Sequence, residues 1–167
     1  MAFTKHCPMP FIDTRLLTLV DHPSSKVRWK SYRALATCND PEIRELALTK
    51  RAPENLIEGS LYSLTSSYQP GDHTAIEESL FLTDDHHNLH TIGFSLLDIF
   101  KNRPTPESLN SMLYVYEHGP CMNCRFQALS VMQDAGVTPS WITQEARHDA
   151  DGSIRKLITG FEEIERI

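Results

Sequence analysis

Apolar residues recur along the chain at steps of three and four positions, the spacing that collects side chains on one face of an α-helix. The clearest stripes run through residues 27–38, 89–100 and 154–164. No stretch alternates apolar and polar residues between hairpin turns, so strand signals are poor. The pattern therefore predicts an all-α protein.

Proline, glycine and capping residues divide these stripes into about nine short helices. We predict helices near residues 12–20, 24–37, 41–51, 54–66, 72–82, 86–101, 106–117, 121–135 and 140–165, with the last one broken near Asp149. Several predicted starts carry a side-chain oxygen that can accept a hydrogen bond from an unpaired N–H group. These candidate N-caps are Ser24 or Ser25, Asp40, Asp72, Asp85, Thr105 and Asp151.

Four of the predicted helix starts align with one another. Each places an apolar residue directly before an arginine, in the pairs Val27-Arg28, Ile43-Arg44, Cys124-Arg125 and Ile154-Arg155. Leu89-His90 occupies the same place once more. Many short helices with a recurring internal pattern indicate a stack of helical repeats.

A turn aspartate, then Val or Ile, Arg and a run of small and apolar residues resembles the second helix of HEAT-like repeats. The resemblance implies a right-handed α-solenoid of about four to five degenerate helix pairs. It would form a single domain over residues 1–167, with residues 1–22 as the N-terminal cap and 136–167 as the C-terminal cap. It also implies that the repeated arginines pair with turn aspartates inside the chain.

The HEAT-like resemblance does not imply one function, since its members include scaffolds, lyases, hydroxylases and DNA glycosylases. The iron-binding hydroxylases among them use His-Glu dipeptides. This chain has only the reverse order, Glu117-His118, so the resemblance disfavours that activity.

Composition narrows the class of partner. The chain has 167 residues and a net charge of −6, and a negative protein is poorly suited to a nucleic-acid backbone. No apolar run approaches the length of a signal peptide or a membrane span, and the four cysteines are expected to be reduced thiols. We therefore predict a cytoplasmic protein with neither nucleic acid nor membrane as its partner.

The charge is unevenly distributed. Residues 1–51 contain nine Lys or Arg and five Asp or Glu, whereas residues 52–100 contain no Lys or Arg and eight Asp or Glu. Such an acidic block is either a solvated face or a surface that attracts a basic partner protein. The partner-binding residues predicted in it are Asp72, Glu77, Glu78, Asp84, Asp85, His86, His87 and His90. Trp29 and Tyr116 join them if their rings face outward, and otherwise belong to the core.

Two groups of residues resemble metal ligands. His86 and His90 stand four positions apart, with Asp84 and Asp85 just before them, but we favour an exposed helix start capped by Asp85, because two histidines at a helix start do not form a closed ligand set. Cys121 and Cys124 form a Cys-x-x-Cys motif that follows His118, without a second paired motif or a strand beside it. We favour small packed side chains for these cysteines, and predict no metal and no cofactor.

Motifs for dinucleotides, phosphate loops and serine hydrolases are missing from the sequence. The sequence therefore favours a non-enzymatic module that binds a basic partner protein through an acidic surface. An inhibitor or a toxin-neutralising immunity protein is one concrete version. The alternative is a HEAT-like enzyme or lyase that uses the histidine and acid cluster, with or without a metal.

Overall fold

A computed structural model of the chain describes residues 13–49, 59–80 and 85–164, and these ranges contain helices and no strand. The helices are α1 (Thr14–Leu19), α2 (Ser25–Leu35), α3 (Pro41–Thr49), α4 (Leu64–Ser67), α5 (Asp72–Glu77), α6 (His86–Phe100), α7 (Leu109–His118), α8 (Met122–Asp134), α9 (Ser140–Ala146) and α10 (Gly152–Ile164). Short 3₁₀ turns at Leu61–Ser63 and Pro106–Ser108 lead into α4 and α7. None of the described helices combines the length and the apolar character that a membrane crossing requires.

The all-α prediction is confirmed. The long predicted helix at 140–165 is broken where expected, since α9 ends at Ala146 and α10 begins at Gly152. The predicted helix at 72–82 is too long, because α5 ends at Glu77. Parts of the predicted helices, at residues 12, 50–51, 54–58, 81–82 and 165, lie outside the described residues.

Three of the predicted N-caps are confirmed by their hydrogen bonds. The carboxylates of Asp40, Asp85 and Asp151 each accept a hydrogen bond from the backbone N–H two residues later, at 2.9, 2.9 and 2.7 Å. Ser24 is the N-cap of α2, and Thr105 is the N-cap of the 3₁₀ turn before α7. Neither side chain makes a capping hydrogen bond. Aspartate side chains therefore cap the N-termini of α3, α6 and α10.

The predicted N-cap at Asp72 is wrong. Gly71 caps α5 with a φ of 95°, a left-handed conformation that glycine adopts without the strain of a Cβ atom. Asp72 is then the first helical residue, and its carboxylate turns inward, where it accepts a hydrogen bond from the N–H of Gln69 at 2.9 Å.

The main core forms around α6. Its fifteen residues include seven that are buried, and α7, α8 and α4 all pack against it. Leu96, Ile99 and Phe100 have no exposed surface and join Met112 and Leu129 in one continuous cluster. A second, smaller cluster lies between the N-terminal helices, with Val20, Tyr32, Leu35, Cys38 and Ile43.

Two of the repeated arginines pair with aspartates inside the chain, as the HEAT-like resemblance implies. Arg44 of α3 donates to both carboxylate oxygens of Asp72, with Nε at 2.8 Å from Oδ2. Arg125 of α8 lies 3.0 Å from the carboxylate of Asp149. Both aspartate side chains are almost completely buried, so each arginine ties its helix to a later segment of the chain.

The other two repeated arginines contact carbonyl groups of the main chain. Arg28 donates from Nη1 to the main-chain oxygens six and five residues earlier, at 2.7 and 3.0 Å. Arg155 makes the same pair of contacts to the carbonyls six and five residues before it. Both guanidinium groups thereby hold the turn that precedes their own helix.

We expect Asp72→Asn to lower the free energy of unfolding by about 2–4 kcal/mol, because the change leaves Arg44 facing a neutral, poorly matched group in a buried site. Urea denaturation at neutral pH measures this loss. The matched control is Glu78→Gln on the exposed surface, which should change stability by less than about 0.5 kcal/mol. Equal denaturation midpoints for the two variants would contradict the buried pair.

Tyr32 should make the fold sensitive to alkali. Its burial raises the pKa of its phenol to about 12, and Asp21 adds to the effect, whereas an unfolded chain has a tyrosine pKa of about 10. The folded state favours the neutral phenol, so this contribution is complete below about pH 10 and is lost as the pH rises from about 10 to 12. The stability of Tyr32→Phe, followed by denaturation across this range, should fall less steeply than that of the wild type. Parallel pH curves would contradict this assignment.

Candidate functional site

Two of the predicted partner-binding residues are buried, and the prediction is wrong for both. Asp72 has its carboxylate in the ion pair with Arg44 and is 3% exposed. Tyr116 is also 3% exposed, and its hydroxyl lies 3.2 Å from both Arg125 and Glu145. Neither residue offers a surface to a partner, because each completes contacts between helices.

Only some of the remaining acidic candidates are exposed on the surface of the described chain. Glu77 is half-buried and accepts a hydrogen bond from the side chain of Asn110 at 3.0 Å, which links α5 to α7. Glu78 and Asp85 are exposed, while Asp84 lies outside the described residues. The exposed acidic surface in this part of the described chain is therefore smaller than the sequence predicts.

Glu107 is an acidic residue that the sequence did not single out. Its carboxylate accepts hydrogen bonds from the hydroxyl of Tyr68 at 2.7 Å and from the N–H of Gly71 at 3.3 Å, and it lies 3.3 Å from His73. The bond from Tyr68, followed by the one from Gly71, lowers the pKa of Glu107. The carboxylate thus holds the turn before α5 against the 3₁₀ turn before α7.

A groove of about 650 Å³ lies between α2 and α6, and we name it the Trp29–Phe94 groove after its two exposed aromatic rings. Trp29 is 36% exposed and Phe94 is 44% exposed. Trp29 therefore faces outward, which is the condition under which the sequence makes it a partner-binding candidate. Tyr62, from the 3₁₀ turn that leads into α4, lines the groove between the two helices.

The two walls of the Trp29–Phe94 groove carry opposite charge. Lys26 and Arg33 line it from α2, and Asp98 lines it from α6. The guanidinium of Arg33 lies 4.7 Å from the centre of the Trp29 ring, a cation–π distance that holds the indole in place. Burial raises the pKa of Tyr62, and the nearby Asp98 raises it further.

Among its described members, the predicted histidine and acid cluster does not converge at the start of α6. His86 and His87 are exposed, and the carboxylate of Asp85 caps the helix. His87 lines the Trp29–Phe94 groove. His90 is half-buried one turn further along and stacks on Phe94, with ring centres 5.4 Å apart.

Among the described residues, one group of three metal-ligand side chains converges, and it contains His90, Cys121 and Cys124. We name it the Cys-His cluster. One ligand atom from each residue lies within 4.8 Å of the other two, and the two Sγ atoms are 3.3 Å apart. Within the described part of the chain, Nε2 of His90 is buried and has no hydrogen-bond partner.

Local chain geometry brings the two cysteines together. Cys121 is the N-cap of α8, and its Sγ accepts a hydrogen bond from the N–H of Cys124 at 3.4 Å. Gly119 precedes them at the end of α7, where an added Cβ would lie 2.3 Å from the carbonyl oxygen of Val115. Only glycine fits this approach, so Gly119 sets how closely α8 follows α7.

The thiols of the Cys-His cluster differ in their surroundings. Cys124 is buried, and its burial, followed by the hydrogen bond with Cys121, raises its pKa to about 12. Cys121 is half-buried and lies nearer to solvent. At neutral pH the metal-free Cys124 is therefore held as a thiol, and a metal ion would have to displace its proton.

His118 is the histidine nearest to the Cys-x-x-Cys motif along the chain, but His90 is the one that converges with the two cysteines. His118 contacts Tyr114 edge to face, with ring centres 5.4 Å apart, and its Nε2 lies 3.8 Å from Glu117. His90 takes the place beside the cysteines, although α7 separates it from them along the chain. The contact between His90 and the two cysteines depends on how α6 and α8 pack. The spacing of residues along the chain therefore does not predict it.

Comparisons with protein-family models, with curated proteins and with solved structures give no match for this chain. The features of the chain that bear on its function are therefore the Trp29–Phe94 groove, the charges around it and the Cys-His cluster.

Proposed function

We propose that this chain is a HEAT-like helical stack that serves as a non-enzymatic, cytoplasmic protein-binding module. Its partner would be a basic protein, and the Trp29–Phe94 groove would receive a segment of that partner. The single observation that carries the proposal is the groove itself, where two large aromatic rings are exposed beside charged walls.

The repeated arginine contacts support a stack with the right-handed solenoid arrangement of HEAT-like repeats. Arg28 and Arg155 hold their preceding turns with the same two carbonyl contacts. Arg44 and Arg125 reach aspartates 28 and 24 positions later. A recurring contact at equivalent helix starts is what a set of related helix pairs would produce.

The aromatic residues of the groove have the properties of interface anchors. Trp and Tyr dominate binding energies because they bury a large, rigid surface at a small loss of side-chain entropy. Trp29 is already oriented by Arg33 and Phe94 is packed against His90, so few rotamers would have to be ordered on binding. A partner segment with a large apolar side chain fits between these two rings.

Charge supports a basic partner. The chain carries a net charge of −6, and residues 52–100 contain no Lys or Arg. Asp98 lies in the groove, and Asp85 and Glu78 are exposed on the same acidic part of the chain. The negative electrostatic field of these charges would raise the encounter rate with a positively charged protein. A basic residue of the bound segment would face Asp98.

An inhibitor or an immunity protein that occludes a basic toxin domain is the concrete form of this proposal. Capture of partners from the native cell, followed by mass spectrometry, would identify the bound protein. The purified partner then allows affinity to be measured for each variant. A partner that is acidic overall would contradict the proposed chemistry.

Replacing the groove aromatics should separate binding from folding. We expect Trp29→Ala and Phe94→Ala each to weaken the purified complex by about 2 kcal/mol or more, as alanine substitution does at interface hot spots. The matched control is Trp141→Ala, because Trp141 is 46% exposed on α9, outside the groove. Circular dichroism checks that all three variants remain helical. Weakening by Trp141→Ala alone would move the binding surface away from the groove.

Charge reversal should change the rate of association. We expect the double variant Glu78→Lys and Asp85→Lys to lower the association rate about tenfold at low salt and to reduce its salt dependence. The control variant carries Glu45→Lys and Asp134→Lys, which change the net charge equally at exposed positions outside the acidic block. If both double variants slow association to the same extent, only net charge matters, and the acidic block has no specific role.

A further inference from the structure

We propose that the Cys-His cluster binds one Zn²⁺ ion through Nε2 of His90 and the Sγ atoms of Cys121 and Cys124. The site would join α6 to the first turn of α8. It is independent of the Trp29–Phe94 groove, since none of its three ligands lines that groove.

The distances suit a tetrahedral zinc ion. Zinc binds sulfur at about 2.3 Å and imidazole nitrogen at about 2.0–2.1 Å, which places ligand atoms about 3.5–3.8 Å apart. The two Sγ atoms are 3.3 Å apart, and all three ligand atoms lie within 4.8 Å of one another. Small side-chain rotations would therefore bring them to ligand distance.

His90 supplies an independent reason to expect a ligand. Nε2 is buried and lacks a hydrogen-bond partner among the described residues, and an unpaired buried polar atom is costly. Its ring is held by the contact with Phe94, so the nitrogen has a defined direction. A metal ion at the cluster would satisfy this atom.

The donor set selects the type of metal. Two thiolates and one imidazole favour zinc over magnesium, calcium or manganese, which prefer oxygen ligands. Binding converts two thiols into thiolates and releases two protons to solvent for each ion, so the site with zinc bound is neutral. Three protein ligands leave the fourth position of zinc to a water molecule. Cys121 is half-buried, which leaves a path from solvent.

Titration of the untagged, fully reduced and chelator-treated chain with Co²⁺ tests the site. We expect one Co²⁺ per chain, with visible absorption typical of tetrahedral coordination and charge-transfer absorption from thiolate. Zn²⁺ should displace the cobalt, and an indicator dye in weak buffer should report about two protons per zinc ion. Zinc should also raise the thermal midpoint of the chain in a concentration-dependent manner.

Ligand variants and matched controls define the donor set. His90→Gln and Cys121→Ser should weaken zinc binding more than about 100-fold, beyond the 10–100-fold that loss of an outer partner produces. His87→Gln on the same helix and Cys38→Ala in the smaller core cluster should bind zinc as the wild type does. Circular dichroism of the metal-free variants shows whether each one is folded.

Three outcomes would overturn the proposal. The first is a reduced wild type that takes up no stoichiometric cobalt or zinc. The second is loss of binding in His118→Gln with full binding in His90→Gln, which would show that the sequence neighbour is the ligand. The third is cobalt absorption that persists in Cys121→Ser and His90→Gln alike. None of these results bears on the Trp29 and Phe94 variants, so the two proposals can fail separately.

Discussion

Burial of α6 organises the rest of the molecule. The helix contributes Leu96, Ile99 and Phe100 to the main core without any exposed surface, and α4, α7 and α8 pack against it. Its residues outside the core contribute to both candidate sites: Phe94 and Asp98 line the groove with α2, and His90 lies beside the cysteines of α8. Any change that shifts α6 would therefore alter both candidate sites, because both depend on where this helix lies.

The buried arginine pairs connect segments that are distant along the chain. Arg44 and Asp72 hold α3 to the start of α5, and Arg125 and Asp149 hold α8 to the turn before α10. A buried ion pair adds little net stability over an apolar pair, but breaking it leaves an uncompensated charge. Such pairs therefore favour one arrangement of helices over others, in which the guanidinium groups would have no carboxylate.

The two candidate sites, one of which includes Phe94 and the other His90, differ in their chemistry. The groove exposes aromatic surface with charges around it, which is suited to a protein segment. The Cys-His cluster gathers soft ligands with little exposed surface, which is suited to a metal ion. Contact between the rings of His90 and Phe94 brings the two sites next to each other, although no residue belongs to both.

The sequence alone determined the helical class and several helix boundaries, because helix periodicity and aspartate caps act over a few neighbouring residues. It left open whether the rings of Trp29 and Tyr116 face outward or belong to the core. Only the tertiary structure decided that Asp72 and Tyr116 are buried and that His90, not His118, lies beside Cys121. Burial and the convergence of metal ligands depend on which helices pack together. Short-range spacing carries no information about a contact between α6 and α8, because α7 separates these helices along the chain.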